Sequence, residues 1–153
     1  MSDEVSMQSA HHQFSVEAHK ATDVLYSSNP SPEEIRSLLE LAHVAHWHWE
    51  KQEDKKPQNV SVSYWLLSRA YSANNMGDRA LHYAELALQT IENEGLLPSF
   101  YGYCNEALAR AHRLLGNGEM TEKHLRIAYQ IAETVPNDHA KSYLLDQIDR
   151  IKL

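Results

Sequence analysis

Histidine is used unusually often in this sequence, and its densest run offers metal-ligand chemistry. Ten of the 153 residues are histidine, and His43, His46 and His48 lie in the stretch AHVAHWHWE. On a helix with about 100° per residue, His43, His46 and Glu50 fall within about 60° of one another, while His48 points away. Two imidazoles and a carboxylate on one face could bind zinc or another divalent ion. The run lacks the H-E-x-x-H and paired E-x-x-H spacings of known sites, so the sequence predicts no metal site and no cofactor.

Sequence motifs for catalysis are not found. There is no glycine-rich phosphate loop and no G-x-S-x-G stretch. The single cysteine, Cys104, has no histidine partner in its local sequence and is expected to be a small core residue. We therefore expect a protein that is not an enzyme.

The acidic composition argues against several classes of partner. The formal net charge is −7, whereas nucleic-acid-binding surfaces concentrate lysine and arginine. No apolar run approaches the roughly 20 residues needed to cross a bilayer, and the N-terminal segment MSDEVSMQSAHHQ does not read as a secretory leader. One cysteine cannot form an internal disulfide, which fits a reducing compartment. The sequence thus predicts a cytoplasmic protein that binds neither nucleic acid nor membrane.

Helical periodicity runs through the chain, and no strand pattern interrupts it. Apolar residues recur at spacings of three and four, and breaks rich in proline or glycine separate the segments. The clearest helix start has Ser31 as a cap, Pro32 at the first position and Glu34 reaching back. The pattern predicts a single all-α domain over residues 1–153. Its parts are helical hairpins at about 6–52, 59–93 and 98–135 and a capping helix at about 138–151.

One helical hairpin recurs within the chain. The stretch from Tyr64 to Asn93 reads as a helical hairpin, and a shift of 44 residues lays Ala70 to Glu94 on Leu114 to Asp138. The residues that coincide are Met76 with Met120, Leu81 with Leu125, Ala84 with Ala128, Thr90 with Thr134, and Asn93 with Asn137. A unit that recurs in this way must stack on its neighbours to bury its apolar face. The sequence therefore predicts a stack of hairpins.

These repeats resemble the tetratricopeptide repeat family, in which two antiparallel helices carry large, small and aromatic residues at fixed places. The first repeat matches with Tyr64, Leu67, Ser68, Tyr71, Ala80, Ala84 and Ala87. The second matches more loosely, with Leu108, Ala111, His112, Leu115, His124, Ala128 and Ile131. The run from Ala42 to Trp49 is also similar to an A-H-x-x-x-x-H-W stretch of an uncharacterised bacterial family of such proteins. The resemblance implies a right-handed α-α superhelix of three hairpins plus a C-terminal capping helix.

In tetratricopeptide proteins the inner helices line a concave groove that holds a partner peptide. The positions of this chain that match the groove include Trp65, Arg69, Glu106 and Arg113. Tryptophan and arginine anchor many interfaces, because a rigid ring or a forked cation gives much contact for little lost freedom. The resemblance therefore implies a scaffold that binds a protein or peptide. The alternative for Arg69 and Glu106 is an ion pair between adjacent helices.

Two other functions stay open at this point. The first is a small-molecule or metal sensor with a pocket between the first two hairpins, lined by His43, Trp47, His48, Tyr71 and His82. The second is a homodimer whose N-terminal helices pair through Phe14 and Trp47. The three functions make different structural demands. A groove needs Trp65 exposed, a sensor needs an enclosed cavity, and a dimer needs an apolar patch on an outer face.

Overall fold

The computed structural model describes the backbone of residues 2–152 and the side chains of residues 10–24 and 28–151. The helices in this part are α1 (Ser2–Ser27), α2 (Pro32–Lys51), α3 (Pro57–Ala73), α4 (Gly77–Ile91), α5 (Pro98–Leu114), α6 (Gly118–Thr134) and α7 (Asp138–Lys152). Between residues 2 and 152 there is no strand, so the all-α prediction is confirmed. None of these helices, over the residues described, is both long and apolar enough to cross a membrane.

Local sequence signals fix where several helices begin. Prolines start α2, α3 and α5, at Pro32, Pro57 and Pro98, because the ring presets φ for the first turn and the missing N–H has no partner there anyway. In front of α2, the Ser31 hydroxyl accepts a hydrogen bond from the Glu34 backbone N–H at 3.3 Å. The Glu34 carboxylate accepts one from the Ser31 backbone N–H at 2.7 Å. The capping box predicted from the sequence is therefore present.

The turn of each hairpin contains one residue in the left-handed backbone conformation. Asn29 lies between α1 and α2 with φ of 54°, and Asn75 lies between α3 and α4 with φ of 58°. Gly116 lies between α5 and α6 with φ of 74°. Glycine adopts this conformation freely, and asparagine tolerates it better than most other residues. The three short connections therefore reverse the chain at predictable residue types.

The structure repeats with a period of 41 residues in its second and third hairpins. Helix α3 begins at Pro57 and α5 at Pro98, and the same interval separates their last residues, Ala73 and Leu114. The first residues of α4 and α6 are separated by the same interval. The two hairpins are therefore equivalent units, as the sequence repeat predicted, but in a different register.

The 44-residue register expected from the sequence is wrong by three residues. Three residues turn about 300° on a helix, so a slip of three leaves side chains within about 60° of the same face, and matching residue types do not reveal it. In the structural register Trp65 corresponds to Glu106, and the buried Thr121 takes the place of Ala80. His124 therefore does not occupy the position of the small alanine, as the sequence comparison had placed it.

The odd-numbered helices form one layer, in which α1 packs on α3, α3 on α5, and α5 on α7. The most extensive contacts join the partners of each hairpin, α1 with α2, α3 with α4, and α5 with α6. Helix α7 packs on both α5 and α6, so it covers the end of the stack. The term odd-helix layer is used below for α1, α3, α5 and α7.

Small residues let these helices approach one another closely. The fully buried alanines are Ala42, Ala45, Ala80, Ala84, Ala87, Ala107, Ala109, Ala111, Ala128 and Ala132. On α5, a Cβ atom added to Gly102 would lie 2.5 Å from Cδ2 of Leu144, which is itself fully buried. Gly102 therefore allows α7 to close onto α5 and position the side chains that these two helices carry.

Candidate functional site

A row of buried polar side chains crosses the middle of the odd-helix layer. The Trp65 indole N–H donates a hydrogen bond to Oε2 of Glu106 at 2.7 Å, and Nη1 of Arg110 donates one to Oε1 of the same carboxylate at 2.7 Å. The Arg69 guanidinium lies 4.4 Å from the centroid of the Trp65 ring, at a distance suited to a cation–π interaction. These four residues, Arg69, Trp65, Glu106 and Arg110, are called the polar stack below.

The polar stack holds a carboxylate in the interior of the protein. Glu106 is fully buried, and burial raises the pKa of its carboxyl above the ordinary value, although the charge of Arg110 and the hydrogen bond from Trp65 oppose the rise. Both oxygens accept a hydrogen bond from a donor 2.7 Å away. Because a protonated acid would turn one oxygen into a donor, this geometry is that of a carboxylate ion paired with Arg110.

The stack continues to the first and last helices through Arg69. Its Nη2 donates to Oδ1 of Asp23 on α1 at 2.6 Å, and its Nη1 donates to the Tyr143 hydroxyl on α7 at 3.4 Å. Burial alone would raise the pKa of Asp23. The hydrogen bond from His19 and the charge and hydrogen bond of Arg69 together outweigh burial and lower the pKa from 3.8 to about 2. Asp23 is therefore ionised at neutral pH, and Arg69 joins α1, α3 and α7.

A cleft opens at one end of the odd-helix layer, where α3 and α5 end beside the last turns of α7. Its volume is about 360 Å³. The lining residues are Ser72, Ala73, Arg110, Arg113, Leu114, Gln147, Arg150 and Ile151, and they are called the arginine cleft below. Three of the lining residues are arginines, of which Arg110 pairs with Glu106 and Arg150 with Asp146.

The arginine cleft contains most of the unsatisfied buried polar atoms of the structure. Among the described side chains, five buried N or O atoms have no hydrogen-bond partner, and four of them belong to residues of this cleft. The four are Nε and Nη2 of Arg110, Oγ of Ser72 and Oε1 of Gln147. Buried polar groups are nearly always paired in native proteins, because an unpaired one costs about 1–3 kcal/mol. Their grouping makes the arginine cleft the candidate site of this chain.

The two free nitrogens of Arg110 form a complete binding edge. Its Nη1 is bound to Glu106, which leaves Nε and Nη2. The N–H groups of these two nitrogens are parallel and adjacent along one edge of the planar guanidinium. This edge matches the two oxygens of a carboxylate or phosphate. Arg110 is only 8% exposed, and its Nε and Nη2 are themselves covered, so a ligand reaches this edge only if side chains at the cleft wall move aside.

The remaining cleft residues add charge, polarity and apolar surface. Arg113 is exposed at the rim. Arg150 is held in place by Asp146, whose Oδ2 lies 3.2 Å from its Nε and from its Nη2. The half-exposed Leu114 and the buried Ile151 supply apolar wall. The arrangement can bind an anionic group that carries a neighbouring apolar part.

Three of the four groove residues expected from the sequence are buried instead of exposed. Trp65 is 3% exposed, Arg69 is 2% exposed and Glu106 is fully buried, so the expectation of an exposed Trp65 is wrong. The physical reason is that α1 packs on α3 and α7 packs on α5, where Asp23 and Tyr143 cover Arg69. Only Arg113 is exposed as expected. An ion pair between adjacent helices is present, and it joins Arg69 with Asp23.

Sequence reasoning overlooked Arg110, the residue with the free binding edge. The signal for it was available in the repeat, because a shift of 41 residues places Arg110 on Arg69. The shift of 44 residues placed Arg113 there instead. Gln147 could not have been found in this way, since α7 lies outside the repeat.

The five residues of the expected histidine and aromatic pocket do not enclose one cavity. His43 bonds through Nε2 to the Tyr71 hydroxyl at 2.9 Å, while Trp47 packs on His48 with ring centroids 4.9 Å apart. A depression of about 500 Å³ runs along α2 past His43, Trp47 and His48, but neither Tyr71 nor His82 lines it. The five side chains therefore do not line this depression together, because Tyr71 belongs to α3 and His82 to α4, and the sensor function stays a prediction.

The histidines on α2 form hydrogen bonds with side chains of neighbouring helices. His46 bonds through Nδ1 to the Ser63 hydroxyl at 2.8 Å, and His48 bonds to His11 of α1 at 2.8 Å between their Nδ1 atoms. Burial lowers the pKa of both His46 and His48, so both are neutral at neutral pH. Within the described residues, no group of three or more His, Cys, Asp or Glu side chains is placed to hold a metal ion.

The two aromatic residues proposed for a dimer contact lie close together and are exposed. Phe14 is 54% exposed and Trp47 is 52% exposed. Both rings contact His48, with centroids 5.3 Å and 4.9 Å away. These two exposed rings flank His48 on the surface of α1 and α2, and pairing of two chains through them stays a prediction.

Comparisons with known proteins found no relative. No protein-family model matches the chain, and neither a curated protein nor a solved structure is significantly similar to it. Any function must therefore be argued from the geometry of the molecule.

Proposed function

We propose that this chain is a non-enzymatic binding module that holds an anionic group of a protein or peptide partner in the arginine cleft. Its architecture would be that of a tetratricopeptide-like stack, a right-handed superhelix of three hairpins capped by α7. The equivalent ends of α3 and α5 and the continuous odd-helix layer support this architecture. The proposal keeps the partner-binding role expected from the sequence and moves the contact from Trp65 to Arg110.

The observation that carries the proposal is the unpaired edge of Arg110. A buried guanidinium with two free N–H groups is unfavourable in the empty protein, and a carboxylate that accepts both would remove the cost. The polar stack positions this edge in advance, because Glu106 holds Nη1 at 2.7 Å. Preorganisation lowers the entropy lost on binding, and the buried ion pair with Glu106 preorganises the Arg110 side chain.

A peptide fits the other unsatisfied atoms better than a simple anion does. Oε1 of Gln147 is an unpaired acceptor, and an anion offers nothing to donate to it. A backbone or amide N–H beside the anionic group would satisfy it. The apolar wall at Leu114 and Ile151 would cover a neighbouring aliphatic side chain. The ligand class we propose is therefore a peptide segment with an acidic group next to an apolar residue.

The chemistry of the lining favours binding over catalysis. Its titratable side chains are the three arginines, which stay protonated and cannot act as general bases at neutral pH. The one hydroxyl, at Ser72, has no histidine or carboxylate among the other lining residues to activate it. These features support the expectation of a protein that is not an enzyme.

The proposal is tested by peptide binding with matched variants. Fluorescent peptides that place Asp or Glu beside Leu or Val are compared with copies carrying Asn or Gln, by fluorescence polarisation. We expect the acidic peptides to bind and Arg113→Gln to weaken their binding by up to about fivefold, since an exposed charge pair contributes up to about 1 kcal/mol. Arg126→Gln, an exposed arginine of α6 outside the cleft, is the matched control. Equal binding of acidic and amide peptides, or equal losses in both variants, would refute the proposal.

A further inference from the structure

A second cleft, which the proposed function does not use, lies at the opposite end of the odd-helix layer. Its volume is about 360 Å³. The lining residues, called the aromatic cleft below, are His19 and Asp23 from α1, Val62 and Trp65 from α3, Tyr103 from α5, and His139, Ala140 and Tyr143 from α7. All four helices of the layer therefore contribute to one site.

Three aromatic rings form walls of this cleft at steep angles to one another. The rings of Trp65 and Tyr103 lie 5.6 Å apart at 45°, and those of Tyr103 and Tyr143 lie 5.9 Å apart at 76°. Rings that are inclined in this way present faces as well as edges to the space between them. The face of an aromatic ring is electron-rich and attracts a cation.

The lining carries one carboxylate, and its charge is shared with a neighbouring arginine. Asp23 is the only acidic residue among the eight that line the cleft, and no lysine or arginine is among them. Arg69 lies outside the lining, but it pairs with Oδ1 of Asp23 and lies over Trp65. Arg69 therefore already covers part of the Trp65 ring, which is only 3% exposed, and compensates part of the Asp23 charge.

The presence of Arg69 decides which kind of cation can bind. Because Arg69 already compensates much of the Asp23 charge, a primary ammonium would lose its strong hydration without a full counter-charge. A quaternary or methylated ammonium group is weakly hydrated and gains mainly from contact with aromatic faces. The volume of the cleft lies at the lower end of the range for small-molecule sites, which suits a compact ligand.

We propose that the aromatic cleft binds the methylated ammonium group of a small organic cation. The half-buried Tyr103 and Tyr143 contact the methyl groups in front of the buried Trp65 ring, and Asp23 supplies the nearest negative charge. This site is distinct from the arginine cleft and takes a ligand of opposite charge. It is also distinct from the histidine run of α2, because no residue of α2 is among its lining residues.

The test compares choline with 3,3-dimethylbutan-1-ol, a neutral molecule of the same shape. Binding to the full chain is followed by two-dimensional amide NMR, with the Trp65 indole N–H as a reporter at the cleft. We expect choline to shift the signals of residues around Trp65 and Tyr103 and to bind at least about fivefold more tightly than the alcohol, as a cation–π site requires. Equal affinity for the two molecules, or shifts confined to other parts of the chain, would overturn the proposal.

Two substitutions of one residue separate ring chemistry from fold. Tyr103→Phe keeps the aromatic face and should bind choline within about twofold of the parent, whereas Tyr103→Leu removes the face and should lose at least about threefold. Helical circular dichroism shows that each variant is folded. If Tyr103→Leu is unfolded, Asp23→Asn in the folded chain takes its place, with the same expected loss. A folded variant that binds choline as well as the parent does would contradict the assignment of the cleft.

Discussion

Substitution of Glu106 by glutamine tests the ion pair on which the arginine cleft depends. The amide keeps the shape of the carboxylate and can still accept from the Trp65 N–H, but it offers no charge to Arg110. Removing one partner of a buried pair typically costs about 3–5 kcal/mol, since the other charge is left uncompensated. Because Arg110 keeps some exposure, at 8%, we expect a loss at the lower end, about 3 kcal/mol. This corresponds to a melting temperature lower by roughly 6–12 °C for a chain of this size.

The assay is urea unfolding followed by circular dichroism and tryptophan fluorescence. A double-mutant cycle with Arg110→Met isolates the pair, because removing both charges should restore part of the stability lost in Glu106→Gln. Glu85→Gln, an exposed position on α4, is the control and should change stability by less than about 0.5 kcal/mol.

Two outcomes would refute the reasoning about this pair. A carboxyl that carried a proton would be mimicked by the amide, so a loss of less than about 1 kcal/mol in Glu106→Gln would show that Glu106 is not ionised. Additive losses in the double variant would show that Glu106 and Arg110 are not coupled. In either case Arg110 would not be held in advance by a carboxylate, and the argument for the cleft would lose its basis.

Three further predictions follow from the packing and the pKa values. Gly102→Ala should destabilise the protein by about 1–3 kcal/mol, since its Cβ would meet Leu144 at 2.5 Å. Gly118→Ala, whose Cβ meets no atom within 4 Å, should not destabilise it. Thermal unfolding of both variants checks this. The pKa of Asp23 is lowered from 3.8 to about 2, so its contribution to the free energy of unfolding is present above about pH 4 and is lost as the pH falls towards 2. After discounting for exposure, this contribution amounts to about 1–2 kcal/mol. Asp23→Asn should remove this part of the acid sensitivity, which is measured as the pH dependence of the urea midpoint. Burial raises the pKa of the Cys104 thiol to about 11, so iodoacetamide at pH 8 should alkylate the native protein far more slowly than the unfolded chain, and mass spectrometry giving equal rates would contradict the buried position.

The helices of this protein could be predicted from sequence because their signals are local. Ser31 and Glu34 cap α2 through atoms three residues apart, and each proline that starts a helix acts on its own φ. Such signals do not depend on what packs above them. The all-α prediction was therefore confirmed wherever the structure describes the chain.

The site could be predicted only in part, because burial depends on distant segments. Trp65 and Arg69 carry the residue types of an exposed anchor, but Asp23 of α1 and Tyr143 of α7 complete their contacts. Nothing near Trp65 in the sequence indicates that these end helices pack there. The register error had a different cause, since a slip of three residues preserves the helical face on which residue matching relies.

The contact between Asp23 and Tyr143 has a consequence for how the chain folds. These residues lie 120 positions apart, whereas most helix contacts join neighbours in sequence. Contacts between neighbours form early and cheaply, because they close short loops. The hairpins should therefore assemble first, on a fast time scale, and the meeting of α1 with α7 should complete the folding reaction. A late step of this kind would also be the first to reverse on unfolding, and both clefts would lose part of their walls with it.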